Sequence, residues 1–399
     1  MKNIVDEMQE RGLIYQSIFL DDLKKIVGQE KIVCYAGFDP TADSLHIGHL
    51  ASILQLVRMQ RAGHTPIALV GGATGRIGDP SGRNSMRPMI SQEQRDENVR
   101  KIKAQIESFF DPNCSNKLVI VDNDDWYKDM GYIDFLNVVG LGMSVNKMLS
   151  SGCFEQRMEN GLSFLEFNYM PMQAYDFYHL YKNYNCTVEL GGSDQWGNIV
   201  AGVDLIRRKE EGAPVFCMTT PLLTKADGTK MGKSAGGAVW LEREKFSDYD
   251  LFQVFRNVED EKVEEWFCML TLLPIEEIKE ICKAKGKEIN VAKERLAYEV
   301  TKLVRGEEAA NEALRQARGA FCGEGSEMLE KEVSSENLNI IDILTNLGLA
   351  QSRGDAKKLI AGGGIKINDE VIFDIDYVCP KEAFVLKKGK KNIIRVIVK

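Results

Sequence analysis

Short apolar runs alternating with helical patterns are the feature of this sequence that most narrows its fold. Ile32 to Ala36, Pro66 to Val70, Leu118 to Val121 and Thr187 to Leu190 read as strands, and Leu50, Leu54 and Val57 recur at i, i+4 and i+7, the spacing of an amphipathic helix. Strands separated by helices need crossover connections, so the pattern predicts an α/β, Rossmann-like parallel sheet covered on both faces. Sheets of this kind bind ligands at the carboxyl ends of their strands. From about Ser247 the strand signals fade and charged helical segments follow, Asp260 to Leu273, Ile275 to Ala284 and Val291 to Val304. A weak linker containing Gly323, Gly325, Ser326, Ser334, Ser335 and Asn337 precedes a small α+β tail. That tail reads as helices at Ile340 to Leu347 and Ser352 to Ala361, a glycine turn at Gly362 to Gly364, and short alternating strands.

Several function classes fall away on composition. No apolar run approaches the roughly 18 residues of a membrane span. Residues Met1 to Gly12 mix charged and apolar side chains, unlike a secretory signal. The nine cysteines form no C-x-x-C pair, so reduced thiols in a cytoplasmic setting are the expectation and no tightly bound protein metal is expected. The net charge of −8 alone argues against a nucleic-acid binder. It is unevenly spread: residues 338 to 399 carry 11 basic and 7 acidic side chains, against 40 and 52 in residues 1 to 337.

Two motifs carry chemistry. Gly37 to His49 (GFDPTADSLHIGH) follows a strand and runs into a helix starting near His46, which places His46 and His49 one turn apart at a helix N-terminus. Free N–H groups and the positive end of the helix dipole favour an anion there. Gly48, lacking a Cβ, is expected to let that anion approach closely. The second motif is Lys230-Met231-Gly232-Lys233-Ser234 between Asp227-Gly228-Thr229 and Gly236-Gly237, a glycine-rich loop whose two lysines can close over a polyphosphate.

Together the two motifs resemble the signatures of the class I aminoacyl-tRNA synthetases, HIGH and KMSKS. The first is matched in full at His46 to His49, and the second at four of five positions, with Gly232 where the family often has Ser. Further stretches are similar to the bacterial tyrosine-specific members over the whole chain: Gly71 to Gly82 (GGATGRIGDPSG), Asp122 to Trp126, the polar set Tyr169, Gln173 and Asp176, and Gly191 to Asn198 (GGSDQWGN). The resemblance implies that Tyr35 and Asp176 hydrogen-bond a substrate phenol, and that Asp79, Tyr169 and Gln173 hold its α-ammonium. Asn123 would lie near the tyrosine and Gln195 by the reacting carboxyl. Asp39, Gly48, Gly192, Asp194 and Lys233 would serve ATP and the adenylate. Thr41, His46, His49, Lys230, Lys233 and Ser234 would act in catalysis, His49 nearer the ribose. Pro171 bars an ideal helix through Tyr169 to Gln173, so the helix is expected either to kink or to start near Met170. Related enzymes can carry Lys where Arg83 stands.

The implied partners are L-tyrosine, ATP with Mg²⁺, and tRNA(Tyr), in a homodimer formed through about residues 123–160. The implied organisation is a catalytic domain at 1–222, a KMSKS-like loop and helical anticodon-side domain at 223–330, and an S4-like RNA-binding domain at 338–399. In the last, Arg353, Lys357 and Lys358 would face RNA phosphates. A tryptophan-activating relative, a small class I nucleotidyltransferase and a non-catalytic RNA-binding protein of the same fold are the competing readings. The phenol-directed Tyr35 and Asp176, the long tail and the joint presence of both signatures weigh against them in turn.

Overall fold

The computed structural model describes residues 3–82, 85–86, 90–231, 233–234, 237–319, 330–335, 338–368, 370–389 and 392–398, with only the backbone of Lys233 and Ser234. They divide into two compact units, one formed by 1–247 with 254–304 and the other by 248–253 with 305–399.

In the first unit the apolar runs become strands β1 (Gln16–Ile18), β2 (Val33–Phe38), β3 (Thr65–Val70), β4 (Val119–Asp122), β5 (Cys186–Gly192) and β6 (Phe216–Thr220), in the spatial order β1-β6-β5-β2-β3-β4. The last five run parallel, while β1 pairs antiparallel with β6 at the edge, an exception to the expected parallel sheet. From β2 the chain builds outward through β3 and β4, then returns to lay β5 on the other side of β2. The crevice between β2 and β5 is therefore a topological switch point, where open α/β sheets bind ligands.

The helices Tyr169–Tyr184 and Trp196–Lys209 pack on one face of the sheet. Phe177, Leu180, Ile199, Val203 and Ile206 join Tyr35, Ile67 and Leu69 in one buried cluster there. The Ile47–Arg61 helix is not the half-solvated helix that its spacing predicts. Its apolar positions are buried and so are Gln55, Arg58 and Gln60. These polar side chains survive burial because each has partners. Gln55 donates to Thr220 Oγ1 at 2.8 Å, and Arg58 Nη2 donates to the carbonyls of Cys268, Met269 and Thr271 at 2.9, 3.0 and 2.9 Å. Burial lowers the Arg58 guanidinium to about 9. Those three carbonyls close the Val263–Leu270 helix, whose Trp266 donates Nε1–H to the Thr224 carbonyl at 3.3 Å.

Pro171 does not interrupt the Tyr169–Tyr184 helix. It lies in the first turn, where an N–H has no intrahelical acceptor and its loss costs nothing.

In the second unit the helices Ile340–Asn346 and Arg353–Ala361 accompany a five-stranded sheet. Its strands are β9 (Glu330–Val333), β10 (Ile365–Ile367), β11 (Glu370–Val371), β12 (Phe384–Lys388) and β13 (Asn392–Val398), in the order β11-β10-β12-β13-β9. Ile340, Ile343, Leu344, Ala356, Ile360, Ile365, Phe384, Leu386 and Val396 form its core. β9 falls inside the stretch expected to be linker; it pairs parallel with β13 and so belongs to this sheet. Gly323, Gly325, Ser326 and Asn337 of that linker lie outside the described residues.

Candidate active site

β2 ends at Phe38, and the chain turns through Asp39 and Thr41, the Thr41 N–H donating to the Asp39 carbonyl at 2.8 Å. His46 then caps the Ile47–Arg61 helix. Its Nδ1 accepts the Gly48 N–H at 3.0 Å, and His49 Nδ1 accepts the His46 N–H at 3.1 Å. A ring nitrogen that accepts carries no proton, so each neutral imidazole keeps its proton on Nε2 as a donor. The rings stack with centroids 3.9 Å apart. A Cβ on Gly48 would fall 2.8 Å from His46 Cε1. Glycine at this position therefore also makes room for the His46 ring.

Beside β2 a buried polar network joins the ends of β2, β3 and β4. Asp39 accepts from Thr74 Oγ1 at 2.8 Å and from the Tyr169 hydroxyl at 2.9 Å. Asn123 donates to Thr74 Oγ1 at 2.9 Å and to Asp176 Oδ2 at 3.0 Å, while its own Oδ1 accepts the Ala73 N–H at 2.8 Å. Trp126 Nε1 donates to Asp176 Oδ1 at 2.9 Å. Gly71 permits this crowding, since a Cβ there would lie 2.2 Å from both Asp39 Oδ1 and Thr74 Oγ1. Asp176 is 2% exposed, and burial lifts its carboxyl to about 7 against the pull of its donors. The Tyr35 hydroxyl is buried with no hydrogen-bond partner among the described residues. Burial first, then the nearby Glu189 and Asp176, push it well above the usual phenol range.

At the end of β5 the short Ser193–Gln195 turn feeds the Trp196–Lys209 helix. Gln195 Nε2 donates to Asp79 Oδ2 at 2.6 Å, and Asp79 Oδ1 accepts the Ser81 N–H at 2.9 Å. Gln173 donates to Glu189 at 3.0 Å. Asp79 is thus bound to Gln195 and Ser81, Tyr169 to Asp39 and Gln173 to Glu189. A Cβ on Gly192 would come within 2.8 Å of Asp194 Oδ1. Asp194 in turn accepts from Lys230 Nζ at 2.9 Å, so the second signature reaches the first site through a lysine. Gly232 and Arg83 lie outside the described residues. Lys233 and Ser234 form a strand, β7, paired with β8 (Gly237–Ala238).

Glu189, Thr74 and Trp126 are the site residues that the sequence reading did not single out. Thr187 and Glu189 alternate with Val188 and Leu190, which reads as a strand with one wet face. In a parallel strand covered on both sides that face is dry, and this is the signal that would have found Glu189.

In the second unit, Arg353, Lys357 and Lys358 are exposed on the helix whose Ala356 and Ile360 are buried, and Arg353 pairs with Asp342.

A switch-point crevice, a histidine-capped helix at its mouth and a lysine loop meeting its edge define the catalytic unit of a class I aminoacyl-tRNA synthetase. Residues 28–322 match the family described as class I tRNA synthetases (W and Y), and residues 323–396 match the C-terminal domain of the tyrosine–tRNA ligase SYY type. The chain belongs to the tyrosyl-tRNA synthetase family. It is 46% identical to the tyrosine–tRNA ligase of Clostridium tetani over 99% of each chain, and 46% identical to that of Clostridium kluyveri over 100% of each. Among solved structures it resembles a C-terminally truncated mitochondrial tyrosyl-tRNA synthetase of Aspergillus nidulans, with a TM-score of 0.71 and 31% identity over 80% of this chain and 95% of that one.

Proposed function

We propose that the polar network at the ends of β2 to β5 is where this tyrosine–tRNA ligase joins L-tyrosine to ATP, releasing pyrophosphate, before passing tyrosine to the 3′-terminal ribose of tRNA(Tyr). The observation that carries this reading is the buried pair of Tyr35 and Asp176. A hydroxyl without a partner among the described residues and a carboxylate held by Asn123 and Trp126 together suit a phenol, which accepts from the first and donates to the second. Phenylalanine would leave the Tyr35 hydroxyl desolvated and unpaired and would bring no donor to the Asp176 carboxylate. Rejection of phenylalanine by the tyrosine enzyme is itself the standard illustration of this effect.

The attacking tyrosine carboxylate is ionised at neutral pH, so the first step needs no protein base. What it needs is alignment with the α-phosphorus and neutralisation of charge on the departing phosphates. We assign the second task to Thr41, to the Nε2–H donors of His46 and His49, and to Lys230, Lys233 and Ser234. Mg²⁺ enters with ATP and adds positive charge at the phosphates. Asp39, Gly192 and Asp194 receive the adenosine ribose region, and Lys230 exchanges Asp194 for phosphate when ATP arrives. Asp79, Tyr169 and Gln173 take the α-ammonium, and Gln195 lies by the carboxyl.

RNA contact falls to the exposed Arg353, Lys357 and Lys358 of the S4-like region 338–399, with 223–330 on the anticodon side. A homodimer through 123–160 accounts for the exposed Tyr132, Ile133, Leu141 and Val145. Among the described residues no helix is long and apolar enough to cross a membrane, and a cytoplasmic site of action fits protein synthesis. The test is ATP–pyrophosphate exchange with tyrosine, phenylalanine, tryptophan or no amino acid. Exchange stimulated by tyrosine alone is the expected result, and tryptophan-driven exchange would overturn the reading.

A further inference from the structure

Glu189 stands opposite Tyr35 in the parallel register of β5 and β2. It is 1% exposed. One carboxyl oxygen accepts from Gln173 at 3.0 Å, and the other, Oε2, has no hydrogen-bond partner among the described residues. The Tyr35 hydroxyl is in the same condition, so two unfilled polar atoms belong to neighbouring side chains on one face of the sheet. Gly202 of the Trp196–Lys209 helix walls the carboxyl: a Cβ there would lie 3.2 Å from Oε2.

The pocket thus holds two buried carboxyls with unequal support. Asp176 receives donors from Asn123 and Trp126, whereas Glu189 receives one, from Gln173. Adjacent buried carboxyls do not both ionise readily, and the charge goes to the one with more donors. Among the described residues the titratable groups coupled to Glu189 are Tyr35 on β2, Asp176 on the Tyr169–Tyr184 helix, Cys217 on β6 and Cys186 on its own strand, and none of these is a cation. Burial, the largest cause, carries Glu189 to about 8.

We propose that Glu189 is a positioning residue that sets the direction of the Tyr35 hydroxyl and so helps select tyrosine. As the acid, Glu189 donates its O–H to Tyr35 Oη. Tyr35 then donates to the phenol oxygen of the substrate, and the phenol donates to Asp176. Each oxygen keeps its own proton and each O–H points one way. When Glu189 ionises it can only accept, Tyr35 turns its hydrogen toward it, and the phenol oxygen loses a donor. This inference rests on the reading of Tyr35 and Asp176 as the phenol-binding pair.

The experiment compares the full chain with Glu189→Gln and Glu189→Leu, measuring KM for tyrosine and for ATP by pyrophosphate exchange across about pH 6.5 to 9.5. The amide also donates to Tyr35 but cannot ionise. In the parent, tyrosine KM should rise as pH passes about 8, beyond any rise in Glu189→Gln, because titration of the free substrate is common to both. Glu189→Leu should raise tyrosine KM roughly tenfold below about pH 8, the effect of removing one buried hydrogen bond, with the gap to the parent closing above it and ATP KM little moved. Coincident parent and Glu189→Gln profiles would overturn the proposal, and that comparison decides alone should Glu189→Leu fail to fold. Tyr35→Phe and Asp176→Asn measured alongside separate the two failures: if they damage tyrosine use while the Glu189 variants do not, only the role of Glu189 falls. If they too are normal, the phenol-pocket reading falls with it.

Discussion

His46 and His49 are bound to each other's backbone surroundings in a fixed sense: His46 takes the Gly48 N–H, and His49 takes the N–H of His46 itself. The same two bonds cap the helix and place both remaining ring protons on Nε2. His46→Ala should therefore fail in two separable ways. Loss of the cap should lower stability by ~1 kcal/mol in urea unfolding. Loss of a preorganised donor should slow adenylate formation by ~2–4 kcal/mol in single-turnover experiments. A near-normal rate would remove His46 from the phosphate site.

Lys230 and Asp194 are joined where both are partly exposed, with 54% and 29% of their side-chain surfaces accessible. Exposed pairs contribute only ~0–1 kcal/mol, so the pairing can be exchanged readily. Lys230→Ala should leave the unfolding midpoint almost unchanged while slowing adenylate formation by ~2–4 kcal/mol. A large stability loss with unaltered chemistry would show that the pair is structural. Lys233→Ala should slow the same step by a similar amount, with a smaller effect on tyrosine affinity.

Asp176→Asn places an amide where two donors already point. Trp126 Nε1–H and Asn123 Nδ2–H each face one carboxyl oxygen, so one of them must meet an N–H. The discrimination between tyrosine and phenylalanine in pyrophosphate exchange should collapse by at least the ~1–3 kcal/mol of a buried unsatisfied donor. An unchanged preference would sink the specificity reading.

Stability should respond to pH through the same pocket. Burial raises Asp176 from 3.8 to about 7 and Glu189 from 4.5 to about 8. With raised values the folded chain holds more protons than the unfolded one between about pH 4 and 8, so their contribution is complete at the acid end and is lost as pH rises through 7 and 8. Glu189→Gln should flatten that decline in urea midpoints. A decline as steep as the parent's would contradict the assignment of a proton to Glu189.

Lys357→Ala with Lys358→Ala should spare tyrosine-dependent pyrophosphate exchange and weaken tRNA charging most at low salt, the deficit narrowing as salt is raised. Removal of each phosphate-binding lysine should also reduce the salt dependence of RNA binding by about one released ion. Charging equal to the parent at every salt concentration would move the RNA-binding surface elsewhere.

Much of this was legible in the sequence because certain residues announce their surroundings. His46 and His49 at a strand-to-helix junction have few other uses, whereas the glycines flanking Asp194 and Thr74 equally suit a tight turn and gain meaning only beside the two signatures. Arg58 was not legible and Glu189 was so only by adding that a parallel strand is covered on both faces, because periodicity by itself measures only which side a residue faces. It does not tell whether that side is wet. Both lie on elements covered on every side, where a polar residue is buried by its neighbours' arrangement. Pro171 was ambiguous for a related reason: its effect depends on its distance from the helix start, which only the cap at Asn168 fixes.

Arg58 has a wider reach than its own bonds. It anchors the far end of the histidine-capped helix to the last carbonyls of Val263–Leu270, and Trp266 of that segment grips Thr224, which pairs with Lys230. The two signatures, distant in the chain, are thus mounted on one shared beam. A change at Trp266 or Arg58 would misalign both at once, and its effect on adenylate formation would not be the product of separate injuries to His46 and Lys230.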